Sequence, residues 1–146
     1  MNYKKWAIPR LCELEAKRAA LNLVPLQIRA LEQAAAALKS PRLDKEHVAG
    51  GESNAREAAL IANIAERDKL RRNLELTAEE VKVVDCALAG LPEEERHILD
   101  CFYVHRSRGA AEKLCSELGY EKSAVYELKE KALINFARRL YGIVEV

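Results

Sequence analysis

The chain has 146 residues, 24 of them basic and 23 acidic, and a net charge of +1. That length suffices to bury one core or two small ones. The near balance of charge excludes a polybasic, histone-like grip on nucleic acid, which needs a large excess of Lys and Arg, but it leaves room for a local contact patch. Aromatic residues make up only 5%, and a composition rich in Ala, Leu, Glu, Lys and Arg favours helices over a β-sandwich or barrel.

The four cysteines (Cys12, Cys86, Cys101, Cys115) never reach C-x-x-C spacing, and His47, His97 and His105 are scattered. No metal site and no cofactor are expected from this set, and reduced thiols acting as small hydrophobes are the plain expectation. The first residues lack an apolar core of signal length, and no window approaches the roughly 18 apolar residues of a membrane span. A soluble, cytoplasmic protein without membrane association is expected.

In chain order, Tyr3 to Ser40 reads as helix. Leu21, Val24, Ile28, Leu31, Ala35 and Leu38 recur at alternating three- and four-residue steps and so share one face. Leu14 and Leu11 extend that face upstream. Pro9 suits a first helical turn, and Pro25 is expected to kink or restart the helix. Ser40-Pro41 should end it, and residues 41–53, with Gly50 and Gly51, read as a connecting loop. Asn54 and Glu57 fit a capping box for the next helix. Its expected apolar face is Ala58, Ala59, Ile61, Ala62, Ile64, Ala65 and Leu70. Thr77 to Glu80 repeats the capping pattern and marks a bend or a new start, after which Val81, Val84 and Leu88 continue the face to Gly90. Two long antiparallel helices, a hairpin, account for residues 1–90. Residues 1–39 hold seven Lys/Arg against three Asp/Glu, so the basic excess lies in the first arm.

The last 55 or so residues differ in organisation. Leu91-Pro92 followed by Glu93 to Glu95 is a helix start with acids at the positive end of the dipole. Ile98, Leu99 and Phe102 then face a core. A short helix carries Ala111, Leu114, Cys115 and Leu118, and Gly119 closes it. A longer helix starts near Ser123 as N-cap, with Val125, Leu128, Ala132, Phe136 and Leu140 inward. Short helix, glycine turn and longer helix is the helix-turn-helix order, in which the first helix holds the N-terminal turns of the second for the major groove. Any three-helix bundle shares this spacing.

Two runs carry a resemblance. Leu91-Pro-Glu-Glu-Glu-Arg-His-Ile-Leu99 with Phe102-Tyr103, and Leu118-Gly-Tyr-Glu-Lys-Ser-Ala-Val-Tyr126 leading into Glu127-Leu-Lys-Glu-Lys-Ala-Leu133, resemble region 4 of sigma-70-type transcription factors. The layout is similar to that of small phage regulators of the RinA/ArpU late-gene activator type, which join such a region to a helical hairpin. The match covers roughly residues 91–140. Glu127 stands where those proteins often carry arginine, and the connection after Tyr103 is longer than usual. The resemblance implies an all-α fold: a long antiparallel helical hairpin (1–90) followed by a three-helix, sigma-region-4-like helix-turn-helix domain (91–146). It implies binding to double-stranded DNA, joint action with RNA polymerase, and regulation of late or packaging genes.

Candidate DNA contacts are Lys122, Ser123, Tyr126, Glu127, Lys129 and Glu130 on the first turns of the last helix. Glu127 can accept from cytosine N4, and otherwise pairs with Lys131 at i,i+4 on a solvated face. Arg106 and Arg108, in the preceding connection, are candidate phosphate clamps. Arg138 and Arg139 favour the negative end of the last helix. Trp6 reads as a packing anchor, and Tyr103 and Phe136 as core. The acidic Glu93 to Glu95 turn is a candidate polymerase contact. The hairpin seam could pair two copies, and a helical adaptor without DNA binding is the competing reading. No phosphate loop, nucleophile elbow or scaffolded acid pair is present, so no enzymatic activity is expected.

Overall fold

A computed structural model describes residues 2–39 and 51–142. Among them the fold is all-α, without strands. The helices are α1 (Tyr3–Cys12), α2 (Leu14–Lys39), α3 (Gly51–Ala89), α4 (Glu93–Leu99), α5 (Ala110–Leu118) and α6 (Lys122–Tyr141). A wide π turn, Asp100–Val104, continues α4, and the His105 amide donates to the Asp100 carbonyl at 2.8 Å. Such a turn accommodates one extra residue inside a helix.

By packing, the chain divides into two units. One joins the segment up to Arg18 with the segment from Glu79 onward, and the other is Ala19–Ala78. This division differs from the 1–90 and 91–146 organisation read from the sequence.

In the Ala19–Ala78 unit, α2 turns Leu21, Val24, Ile28, Leu31, Ala35 and Leu38 inward, as its periodicity requires. Pro25 neither breaks nor restarts the helix, which is continuous from Leu14 to Lys39. The expected loop from 41 to 50 lies outside the described residues, and residues 51–53 are already helical, so Asn54 is not a cap. Thr77 is no cap either. Its hydroxyl donates to the Asn73 carbonyl at 2.7 Å, a back-bond within an unbroken helix.

The inner stripe of α3 is Arg56, Leu60, Asn63, Arg67, Leu70, Leu74 and Thr77, a strict four-three series. The alanine- and isoleucine-based face expected from the sequence is instead solvent-facing, with Ile61 61% exposed. Asn63 is buried, donates from Nδ2 to the Leu31 carbonyl at 2.8 Å, and accepts from Arg67 Nε at 2.8 Å. An apolar count alone therefore misplaces the face, because the buried amide here has two partners that offset its desolvation.

The other unit holds most of the core. Leu11, Leu14, Val84, Ile98, Leu99, Leu114, Val125, Leu133 and Phe136 are fully enclosed. Helix α1 contributes Ala7 and Leu11, while Trp6 is 55% exposed with the Lys5 ammonium 5.9 Å from its ring centroid. The single tryptophan is therefore not the packing anchor its apolar bulk suggests, because the inward face of α1 passes through Ala7 and Leu11. Gly90 follows α3, and the Arg139 guanidinium occupies the place a Cβ would take. Arg139 Nε donates to the Ala87 carbonyl at 3.0 Å. It thus satisfies the last turn of α3 rather than only facing the end of its own helix.

Candidate nucleic-acid interface

Two glycines shape the short helix that braces α6. Gly109 (φ 70°) precedes α5 and Gly119 (φ 73°) follows it, both left-handed, a conformation costing other L-residues about 1–2 kcal/mol. The Gly119 amide donates to the Cys115 carbonyl at 3.0 Å and closes the helix. Ile98, Cys101, Ala110, Leu114 and Val125 form the cluster between α4, α5 and α6, with Phe102, Cys115, Leu118 and Leu128 packed on it. Val125 is the inward residue of the first turns of α6, so Lys122, Ser123, Tyr126 and Glu127 project outward.

Helix α6 begins at Lys122 with Glu121 as its cap residue, and neither Glu121 nor Ser123 caps it through a side chain. Ser123 is exposed within the first turn. Lys122 is exposed and its ammonium lies 3.2 Å from the Glu112 carboxylate. The hydrogen bond to that carboxylate raises the lysine pKa, with Glu112's charge acting in the same sense. Glu112 is lowered, first by a bond to its own backbone amide and then by Lys122. Among the described residues Glu127 has no ion pair, so the expected pairing with Lys131 is not made.

Tyr126 is 41% exposed, and its ring lies 5.9 Å from that of Phe102. Lys129 places its ammonium over both rings, 5.0 Å from Tyr126 and 5.1 Å from Phe102. These three side chains join Arg106, Ser107 and Glu112 around a cleft of about 400 Å³. Arg106 and Arg108 are exposed and make no ion pair or hydrogen bond among the described residues. The structure thus gathers Arg106, Tyr126 and Lys129 on one cleft and ties Lys122 to its rim through Glu112. An aromatic floor with cations held over it suits phosphate oxygens or the face of a base.

Glu130 is placed differently. Helix α1 lies beside α6, and Lys4 pairs with the Glu130 carboxylate at 2.8 Å while Tyr3 donates its hydroxyl to it at 3.4 Å. A groove contact by Glu130 would first have to break those bonds. At the far end of the same pair of helices the Arg10 guanidinium covers the Tyr141 ring at 5.4 Å. Tyr103 is half-buried, and its pKa is pushed up to about 12 by desolvation and by the charge of Glu130. Phe136 is fully enclosed.

In the acidic turn of α4, Glu93 is exposed but Glu95 is only 7% exposed and accepts from Asn135 Nδ2 at 2.9 Å. Glu95 is therefore a bridge between α4 and α6 and offers no surface to a partner. Sequence patterning marked neither this bridge, nor Phe102 as a cation platform, nor Glu112 as the partner of Lys122. Each depends on residues far apart in the chain or on different helices.

No protein-family model, curated protein or solved structure matches the chain. Among the described residues no three His, Cys, Asp or Glu side chains gather as a metal site, and no helix is long and apolar enough to cross a membrane.

Proposed function

We propose that the chain is a sequence-specific DNA-binding transcriptional regulator. In this reading α2 and α3 form the helical hairpin, and α4 to α6 form a sigma-region-4-like helix-turn-helix. The observation that carries it is the exposed first two turns of α6, braced by α5 through the Gly119 turn and edged by Arg106 and Lys129. Tyr126, Ser123 and Glu127 reach base edges in the major groove, while Lys122, Arg106, Arg108 and Lys129 hold phosphates. By the resemblance of residues 91–140, the protein is a phage-encoded activator of late or packaging genes acting with RNA polymerase. Glu93, with Arg96 on the same short helix, remains as the polymerase-facing candidate once Glu95 is assigned to the core.

A gel-shift assay at low salt on duplexes from the neighbouring genomic region tests the reading. Wild-type protein should retard a subset of duplexes, and Lys122→Ala or Tyr126→Ala should weaken that binding. No retardation at low salt, or retardation indifferent to both substitutions, refutes it and leaves the adaptor reading.

A further inference from the structure

Helix α1 carries Lys4, Lys5 and Arg10 and no acid, and both lysines stand in its first turn. Cations at that end oppose the helix dipole, so neither lysine is there to stabilise α1 itself. Arg10 is engaged on one side of the helix, by Glu80 at 3.0 Å and by the Tyr141 ring. The other side is built differently. Lys5, Ile8 and Cys12 follow a three-four step and share it, and Ile8 and Cys12 line the same cleft as Arg106, Tyr126 and Lys129. Helix α1 is thus one wall of that cleft. Lys5 stands exposed one turn before Ile8 and meets no carboxylate among the described residues, its ammonium lying 5.9 Å from the Trp6 ring.

The first turn of α1 also meets the reading helix directly. On α6, Glu130 follows Tyr126 by one turn, and the two border one groove along the helix. A bare carboxylate there repels the phosphates that a reading helix must approach. Lys4 pairs with it at 2.8 Å and the Tyr3 hydroxyl donates to it at 3.4 Å, so its charge is covered from α1.

We propose that α1 is a second backbone-gripping element of the DNA interface, in which Lys5 holds a phosphate and Lys4 masks the Glu130 carboxylate from the duplex. The inference rests on the DNA reading and extends it to a helix outside the helix-turn-helix. What carries it is an acid-free helix set against the cleft beside α6, with one lysine on Glu130 and the next unpaired. Lys5 and Arg106 then approach the backbone from two walls of the cleft, α1 and the connection before α5.

Fluorescence anisotropy at several salt concentrations tests it, on the full chain with a duplex that the wild type retards and with an unrelated one. Lys5→Gln should weaken binding to both severalfold and make the slope of log affinity against log salt shallower by about one, the mark of a lost phosphate contact. Lys4→Gln should also weaken binding, and adding Glu130→Gln should recover most of the loss, because the carboxylate that needed masking has gone. Arg10→Gln removes the same charge from the other side of α1 and should leave affinity and slope unchanged. Lys5 is exposed and the Lys4–Glu130 pair is half-exposed, so these substitutions should leave folding intact. A retarded duplex whose affinity and salt slope ignore Lys5→Gln overturns the inference and leaves the reading by α6 standing. So does a Lys4→Gln loss that Glu130→Gln fails to recover, or an Arg10→Gln variant that behaves as Lys5→Gln. A chain that binds no duplex at low salt overturns the DNA reading and this inference with it.

Discussion

Lys122 and Glu112 illustrate how a contact residue is set by a neighbour that no motif marks. In the free protein the ammonium is held 3.2 Å from the carboxylate, and binding a phosphate requires exchanging that partner. Glu112→Gln frees the lysine and removes a negative charge from the cleft. The expected outcome is severalfold tighter DNA binding with little change in stability, read by fluorescence anisotropy; weaker binding contradicts the role given to Lys122. His105 provides a pH test. Its hydrogen bond to Asp100 (2.7 Å), that carboxylate's charge and the charge of Glu15 raise its pKa above the ordinary 6.5. A raised histidine pKa contributes stability that is fully present below the unfolded value and is lost as pH rises through the folded one. Because His105 is exposed, that contribution is small. Urea titrations of wild type and His105→Asn should therefore converge slightly as pH rises above neutrality, and divergence contradicts the pairing. The exposed positions Lys122, Ser123, Tyr126 and Glu127 were legible as an outward face because Val125, Leu128 and Ala132 fix the phase of α6. The partners of Lys122, Tyr126 and Glu130 were not legible, since Glu112, Phe102 and Tyr3 reach them through tertiary packing and leave no periodic trace.

At the level of helices, α2 and α6 follow their apolar periodicity and α3 does not. Its run of Ala58, Ile61, Ala62, Ile64 and Ala65 outweighs, by apolar count, the stripe that turns inward. What decides the phase is Leu60, Leu70 and Leu74 at four-three spacing, with Asn63 bonded to the Leu31 carbonyl in the same series. A buried amide in such a seam fixes register at a cost in stability. Asn63→Leu should raise thermal stability by roughly 1 kcal/mol or more while loosening the register. Calorimetry showing a large loss would contradict the inward placement. In α5, Leu114 is fully enclosed between α4 and α6. Leu114→Ala should cost about 2–5 kcal/mol in a denaturant titration, and with it the bracing of α6. Pro25 and Thr77 warn against reading helix ends from single residues. Continuous packing carries α2 past its proline, and the threonine hydroxyl finds the Asn73 carbonyl inside α3 instead of a cap position.

For the whole molecule, the balance of +1 acquires a meaning that composition alone did not give. The cations near α6 are few, and some are already engaged: Lys122 by Glu112, Lys4 by Glu130, Arg139 by the end of α3. A single chain then contributes a small phosphate term, so its DNA binding should be weak and should fall only shallowly with rising salt. The central claim is that the first turns of α6 read sequence. Sequencing the duplexes that the full chain retains from a random pool tests this most directly. The account predicts one enriched motif that disappears with Tyr126→Ala and shifts at a single base position with Glu127→Gln. A retained pool as random as the input would contradict it.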